Sequence, residues 1–325
     1  MAQAIVLHQV GGPEQLKFET IADSPPGPGE ARVVHRAIGI NYIDTYHRTG
    51  LYPLPRYPSG IGLEAAGVIE ALGEGVSGFA VGDRVAYAGG SVGAYSTVRN
   101  VIADRLVKLP QAISDEQAAA MMLKGMTVEF LIRRAFQVKP GQTVLWHAAA
   151  GGVGLIACQW LSHLGVRVIG TVGSEQKAAL ARAHGCSETI LYRHEDFAER
   201  VLDLTKGEKL PVVYDSVGKD TFLRSLDCLQ PRGTYVGFGN ASGKPEPFDV
   251  TLLSTKGSLY LTRPTLFTYT AKREDLLASA AALFEVVQNG AVKITISKRF
   301  ALAEASSAHE HLESRASTGC LLLMP

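Results

Sequence analysis

Apolar residues along this chain follow two rhythms. Over the first 110 residues they come in short β-branched runs divided by Gly- and Pro-rich turns. Residues 4–7, 31–38, 67–72 and 84–88 read as strands, with turns at SPPGPGE, GEGVSG and AVGDR. This region is predicted to be mostly β, with no long helix. From Ser114 the rhythm changes. Ser114 and Gln117 have the spacing of a capping box and predict a helix through residue 123. A second helical run covers residues 127–136. Strand and helix then alternate, with strands predicted at 143–147, 167–172, 189–192, 212–215, 234–238 and 258–262. Helices begin near Gly152, Glu175 and Glu195, and another runs over 220–229. Such alternation implies a parallel sheet covered on both faces.

The tail differs again. Residues 273–289 form an amphipathic helix stopped by Gly290, 293–300 a strand and 303–313 a last short helix. Six strands already complete the parallel sheet, so the tail is read as returning to the N-terminal β region. The fold class is α/β, a doubly wound parallel sheet with a second, mostly β domain. Residues 126–264 form the first domain; residues 1–125 and 265–325 form the second.

Composition narrows the function classes. A length of 325 residues suits two domains. Hydrophobic residues at 46% and charged residues at 19% exclude global disorder. A net charge of +1 supplies no long-range pull on nucleic acid or anionic lipid. The cysteines, at 158, 186, 228 and 320, form no CxxC, so reduced thiols in a cytoplasm are preferred to disulfides. MAQAIVLHQVGG lacks the basic and apolar regions of a signal peptide. Residues 140–166 carry no Asp, Glu, Lys or Arg. They would be long enough for a membrane span of about 20 residues. But His147, Gln159, His163 and Gly151-Gly152 interrupt them, so a buried strand, a glycine turn and a buried helix are read instead. No membrane association is expected.

The central motif is Ala149-Ala150-Gly151-Gly152-Val153-Gly154, between the strand TVLWHA and the helix GVGLIACQWLSHL. Glycines at such a turn let the backbone approach a pyrophosphate, and the helix N-terminus offers it free N–H groups. Ala149 stands where the first glycine of the dinucleotide fingerprint is usual. The strand before, the helix after and the alternation beyond support dinucleotide binding. An NAD site would place Asp or Glu at the end of the second strand. That strand ends Gly173-Ser174, with no acid at its tip. Ser174 and Lys177 suit a 2′-phosphate, over which Tyr192 and Arg193 could close. A purely structural reading makes Ser174 an N-cap and Lys177 a solvated lysine. NADPH is the preferred cofactor.

Several segments carry a family resemblance: Ala37-Ile38-Gly39-Ile40-Asn41 with Asp44, Gly62-Leu63-Glu64-Ala65-Ala66-Gly67, VGDRVAY (81–87), LKGMTV (123–128), HAAAGGVG (147–154), VVYDSVG (212–218), SLYLTRP (258–264) and HLESRASTG (311–319). In this order the chain resembles the zinc-independent, zeta-crystallin-like quinone oxidoreductases of the medium-chain dehydrogenase/reductase superfamily. The resemblance implies a GroES-like β domain joined to a Rossmann domain, with NADPH in the cleft between them. It also implies a homodimer through the sixth strand of the nucleotide sheet, here 256–262. Zinc relatives use Cys, a His-Glu pair and a further Cys. Asn41 and Leu63 stand at the first two of these places, and no Cys precedes Cys158. Glu64 alone cannot hold Zn²⁺, so a metal-free site is expected, with Glu64 structural.

Hydride transfer is the cofactor's own chemistry, and a quinone accepts a hydride with little electrophilic help. Donors to the developing oxyanion suffice. By resemblance, Asn41, Asp44, Tyr46 and Tyr52 line the nicotinamide and substrate site as the catalytic set. The tyrosines could equally be loop anchors, and His47 is read as solvated. Cofactor contacts are expected from Asn41, Tyr42, Tyr46, Lys124, Thr127, Phe130, Gly152, Val153, Gly173, Ser174, Lys177, Tyr192, Ser216, Val217, Phe238, Gly239, Asn240, Arg263, Pro264 and Arg315, with no metal ligand. Phe130 stands where Tyr is expected in close relatives, and Arg315 could instead be a helix salt-bridge partner. His309 and His311, two apart, point to different helix faces, and Cys158 is assigned to the core. The leading reading is NADPH-dependent quinone reduction. The alternatives are reduction of activated C=C bonds in enals, enones or enoyl thioesters, and an RNA-binding or structural role. No RNP-type motif or arginine-rich run supports the last.

Overall fold

The computed structural model describes residues 1–325, which divide into two units. The first holds residues 1–126, 269–288 and 294–325; the second holds 127–268 and 289–293.

In the first unit, β1 (Ala2–Leu7) pairs with β2 (Leu16–Ile21) in antiparallel register. The long strand β3 (Glu30–Ile40) follows, then α1 (Tyr42–Thr49). Next come β4 (Ser59–Gly60), β5 (Glu64–Leu72), β6 (Arg84–Ala88), β7 (Val98–Ile102) and β8 (Val107–Lys108). Inward residues of β3, Val33 and Ile38 among them, join Ile5, Tyr87 and Leu323 in one apolar core.

Helix α2 (Asp115–Phe130) opens on the expected capping box. Ser114 Oγ accepts from Gln117 N at 3.1 Å, and Gln117 Oε1 accepts from Ser114 N at 3.1 Å. The sequence predicted two helices here. The structure instead has one continuous helix that passes into a π-helical run, Leu131–Ala135. No Pro or Gly pair interrupts it, and Gly125 leaves room for the Leu283 side chain, which a Cβ there would meet at 2.4 Å.

In the second unit, β9 (Thr143–Trp146), α3 (Gly152–His163), β10 (Arg167–Val172), α4 (Glu175–Ala183) and β11 (Glu188–Leu191) alternate as expected. Helix α5 (Phe197–Leu204) starts two residues later than predicted. Asp196 caps it, its Oδ1 accepting from Ala198 N at 2.9 Å and Glu199 N at 3.3 Å. Then follow β12 (Leu210–Asp215), α6 (Phe222–Asp227), β13 (Leu229–Gly237), α7 (Thr251–Thr255) and β14 (Tyr260–Thr262). Helix α6 is shorter than the predicted 220–229. The strand order β11-β10-β9-β12-β13-β14 is parallel throughout and reverses between β9 and β12. This is the doubly wound arrangement, whose ligands bind beyond the strands' carboxyl ends.

After α8 (Leu266–Tyr269) come α9 (Arg273–Gln288), β15 (Ile296–Ala301), α10 (Ala305–Glu313) and β16 (Cys320–Met324). Strand β16 pairs with β3 and β15 with β16, so the tail closes the seven-stranded sheet of the first unit. No helix is long and apolar enough to cross a membrane.

The absence of any marked helix in the first 110 residues is corrected by α1. Its N-terminus is a capping box: Asn41 N donates to Asp44 Oδ2 at 2.8 Å. Gly50, at φ 77°, ends it. The segment read as a loop around Tyr46 and His47 is therefore helical.

Candidate functional site

The glycine turn lies between β9 and α3. Gly154 is required for space: a Cβ there would sit 2.4 Å from the Ala148 carbonyl oxygen and 2.6 Å from the Ala149 carbonyl. Its neighbours Gly152 and Val153 form the first turn of α3 and are half-buried. Ala148 takes a left-handed φ of 57° to make the corner. The first backbone N–H groups of α3 have no intrahelical partner, which suits an anion.

At the tip of β10 the candidate phosphate residues gather. Ser174 caps α4, accepting from Lys177 N at 3.3 Å. The structural reading of Ser174 therefore holds. Lys177 is half-buried rather than a freely solvated lysine. Burial, and then the positive charge of Arg193, lower its pKa. A Cβ on Gly173 would meet the Tyr192 hydroxyl at 3.0 Å and Arg193 Nε at 3.5 Å. A phenol and the Arg193 cation thus converge on a backbone position left bare by glycine, with Lys177 close enough to feel the Arg193 charge.

Further along the sheet, sequence reasoning missed a supporting residue. Asp215, buried at the end of β12, accepts from Val217 N at 2.7 Å, Gly218 N at 3.1 Å, Thr221 Oγ1 at 2.7 Å and the Tyr235 hydroxyl at 3.0 Å. It fixes the loop carrying Ser216 and Val217. An acid directly before Ser-Val-Gly at a strand end was the available signal. After β13 come Phe238 and Gly239, both half-buried, and the buried Asn240. Gly239 again leaves room, since its Cβ would lie 2.5 Å from the Ser216 carbonyl oxygen. Arg263 is exposed and donates to the Gly237 and Pro264 carbonyls at 3.2 and 3.3 Å. Thr127 and Phe130 are buried at 9% and 1% exposure, so Phe130 presents little surface.

In the first unit, α1 carries Tyr42, Asp44 and Tyr46, with Asn41 at its cap. Tyr46 is buried and Tyr52 half-buried. Their ring centroids lie 5.1 Å apart, edge to face, and Tyr42 stands 6.2 Å from Tyr46. Tyr52 N donates to the Tyr46 carbonyl at 3.0 Å, fixing the pair. These tyrosines are packed into a cluster rather than loosely anchored. The expectation of a solvated His47 is also corrected. It is half-buried, its Nδ1 is buried without a partner, and burial lowers its pKa.

Asp44 is wholly buried. Its Oδ2 accepts from Asn41 N and, at 2.9 Å, from the Tyr95 hydroxyl; its Oδ1 has no partner. Desolvation, opposed by those two bonds, pushes its pKa up to about 7. Behind Tyr95 the hydrogen bonds have one possible direction. Arg48 can only donate, and its Nη1 lies 3.1 Å from His309 Nδ1. His309 must then carry its proton on Nε2 and donate it to the Tyr95 oxygen, 3.1 Å away. Tyr95 is left to donate to Asp44. Glu313 holds Arg48 through two bonds of 2.8 Å. Burial depresses the His309 pKa to about 3, which keeps it neutral.

Glu64 is likewise wholly buried and structural in its bonding. It accepts from Asn41 Nδ2 and Leu123 N, each at 2.7 Å, and faces Lys124 Nζ at 3.5 Å. Burial raises its pKa against the pull of Lys124. Lys124 also donates to the Ile40 carbonyl at 3.1 Å. Arg315 is exposed, lies beyond the end of α10 and takes a left-handed φ of 58°. It is therefore not within the helix. These donors do not fit zinc: Asn41 and Leu63 cannot supply thiolate or imidazole, and no three His, Cys, Asp or Glu side chains gather.

Known proteins resemble this chain in both parts. The alcohol dehydrogenase GroES-like domain family matches residues 27–111, and the zinc-binding dehydrogenase family matches 152–280. A quinone oxidoreductase of Pseudomonas aeruginosa is 55% identical over the whole of both chains. The crystal structure of an Escherichia coli quinone oxidoreductase complexed with NADPH has a TM-score of 0.98 at 50% identity. It covers 99% of this chain and 100% of its own. A 2-haloacrylate reductase of Burkholderia is 44% identical over 100% of this chain and 99% of that protein. With its doubly wound sheet, its glycine turn and full-length likeness at this level, the chain belongs to the quinone oxidoreductase family of the medium-chain dehydrogenase/reductase superfamily.

Proposed function

We propose that the protein reduces quinones with NADPH and without a metal. The observation that carries this reading is the pair of cations at the tip of β10. Arg193 and Tyr192 border a bare Gly173, Lys177 stands within reach of the Arg193 charge, and a 2′-phosphate bound here would relieve the repulsion between the two cations. The acid that would select an unphosphorylated ribose is absent there. The quinone oxidoreductase of Escherichia coli, solved with NADPH, supports the same assignment.

The residues fit the dinucleotide. Gly152 and Val153 offer N–H groups to a pyrophosphate. Gly173, Ser174, Lys177 and Tyr192 hold the adenosine phosphate, with Arg193 beside them. Ser216, Val217, Phe238, Gly239, Asn240, Arg263 and Pro264 stand at the carboxyl ends of the strands and flank the chain of the cofactor. Thr127, Phe130, Lys124, Tyr42 and Arg315 are assigned to the remaining cofactor contacts. Bound NADPH supplies a hydride. The protein supplies surface and donors: Tyr46 and Tyr52 give an aromatic face and phenolic protons to charge growing on a quinone oxygen. Asn41 orients the start of α1. Asp44, turned inward, holds that helix cap rather than meeting the substrate.

Stopped-flow loss of NADPH absorbance with 1,4-benzoquinone tests the reading. Rapid turnover is expected; no turnover with any quinone overturns it. A second reading, reduction of an activated C=C bond, is favoured by the likeness to the 2-haloacrylate reductase. The same assay with 2-chloroacrylate separates the two. We further assign a homodimer through β14, an edge strand exposing Tyr260 at 63% and Leu261 at 38%. The four free thiols suit a cytoplasm.

A further inference from the structure

Helix α3 brings Cys158 against the segment that leaves α4. Gly185 there has φ 88° and no side chain. The Cys158 carbonyl oxygen lies 3.0 Å from the point a Cβ would occupy. The next residue is Cys186, so the two cysteines are neighbours across this close backbone approach. On the other side is Gly170 of β10. A Cβ there would stand 2.6 Å from both the Cys186 Sγ and the Ala149 Cβ. The Cys158 Sγ lies 3.9 Å from the Ala149 carbonyl oxygen. Both sulfurs therefore pack around Ala149, the first residue of the glycine turn; the Cys186 thiol donates to the Glu188 carbonyl at 3.0 Å, and each of the two thiols shifts the titration of the other.

We propose that Cys158 and Cys186 are a latent disulfide site beneath the glycine turn, closed by a two-electron oxidant such as a quinone, and that closure weakens dinucleotide binding. The quinone as oxidant rests on the reading above; the site itself does not. The step balances. Both S–H bonds break and one S–S bond forms. Two electrons and two protons pass to the quinone, which leaves as hydroquinone.

Cys186 is the thiol to react first. The neighbouring Cys158 thiol holds it below the ordinary thiol value, whereas the same interaction and burial raise Cys158. Cys186 also keeps 4% exposure, against none for Cys158. Closing the bond brings the sulfurs to about 2 Å. That pull acts on α3 and on the wall of β10, with Ala149 between them, and so displaces the N–H groups that meet the pyrophosphate. Cys228 and Cys320 belong to different units, and burial pushes their thiols up to about 12 and about 11. They serve as internal controls.

The test oxidises the intact chain with diamide, and in parallel with 1,4-benzoquinone, followed by digestion, mass spectrometry and NADPH titration. A peptide linking 158 to 186 is expected with both oxidants. The NADPH dissociation constant should rise about tenfold or more and recover with dithiothreitol. Bound NADPH should slow the closure. Cys186→Ala, at the less buried position, should be insensitive, as should Cys158→Ala. The wild-type mass measurement stands without either variant. No link in folded protein overturns the proposal, as does a link that leaves NADPH affinity unchanged. An arylated Cys186 in place of the link, or a link with diamide alone, overturns the quinone as oxidant. Quinone turnover by the reduced protein is recorded beside these arms, so a failed disulfide and a failed quinone reading are told apart.

Discussion

Replacing Asp44 by Asn should change the way stability depends on pH. Burial raises the Asp44 pKa from 3.8 to about 7. Between those values the native state holds a proton that the unfolded chain has released. Stability from this group therefore falls as pH rises, and it is lost once pH passes the folded value. From pH 5.5 to 8.5 the loss amounts to about 2 kcal/mol, at about 1.4 kcal/mol per pH unit below the folded value. Lys124 opposes the shift and Glu64 adds to it, while the Asn41 N–H and Tyr95 hydroxyl favour the ionised form. An Asn at this position still offers one oxygen to Asn41 N and Tyr95 but cannot ionise. Urea unfolding of both proteins at the two pH values isolates the group. The stability of Asp44→Asn relative to wild type should rise by about 2 kcal/mol between pH 5.5 and 8.5. A difference that stays flat across this range would refute the argument, because it would mean that Asp44 is ionised throughout.

Other outcomes follow from the same geometry. Gly154→Ala puts a methyl group against backbone atoms that cannot give. It should destabilise by about 2–3 kcal/mol in thermal melts and weaken NADPH binding; a neutral change would deny the close approach. Tyr46→Phe and Tyr52→Phe keep the rings and lose the phenols. Each should lower kcat with benzoquinone by up to about a hundredfold with little change in KM, and unchanged kcat in both would remove the tyrosines from the reaction. Leu261→Lys places a charge on the β14 edge and should give monomers in light scattering, whereas an unaltered mass would place the interface elsewhere.

The parallel sheet was legible because its information is local. TVLW, RVIGTV and PVVYD are short apolar runs buried on both faces, and each sits between helices of ordinary length. The strand ends were less so, since β13 begins at Leu229 and not near Thr234, in a stretch where Pro231 and Arg232 break the apolar run. In the first unit the pairing is between distant segments. The two-residue strands β4 and β8 have no periodicity to read. Helix α1 was hidden because its apolar content is low and the Asn41–Asp44 capping box went unread. The tip of β10 was legible from the missing acid and from Ser174 and Lys177. The chain from Arg48 to Asp44 was not. Arg48 and Glu313 are 265 positions apart, and only the folded sheet and α10 bring them together. The Cys158–Cys186 contact stayed hidden for the same reason, although Gly170 and Gly185 each mark where another part of the chain comes close.

The most direct test of the account is a calorimetric titration of the wild-type protein and Lys177→Ala with NADPH and NADH. Wild type should bind NADPH at least about tenfold tighter than NADH. Lys177→Ala should remove most of that preference by weakening NADPH binding alone. Equal affinity for the two dinucleotides in the wild-type protein would contradict it.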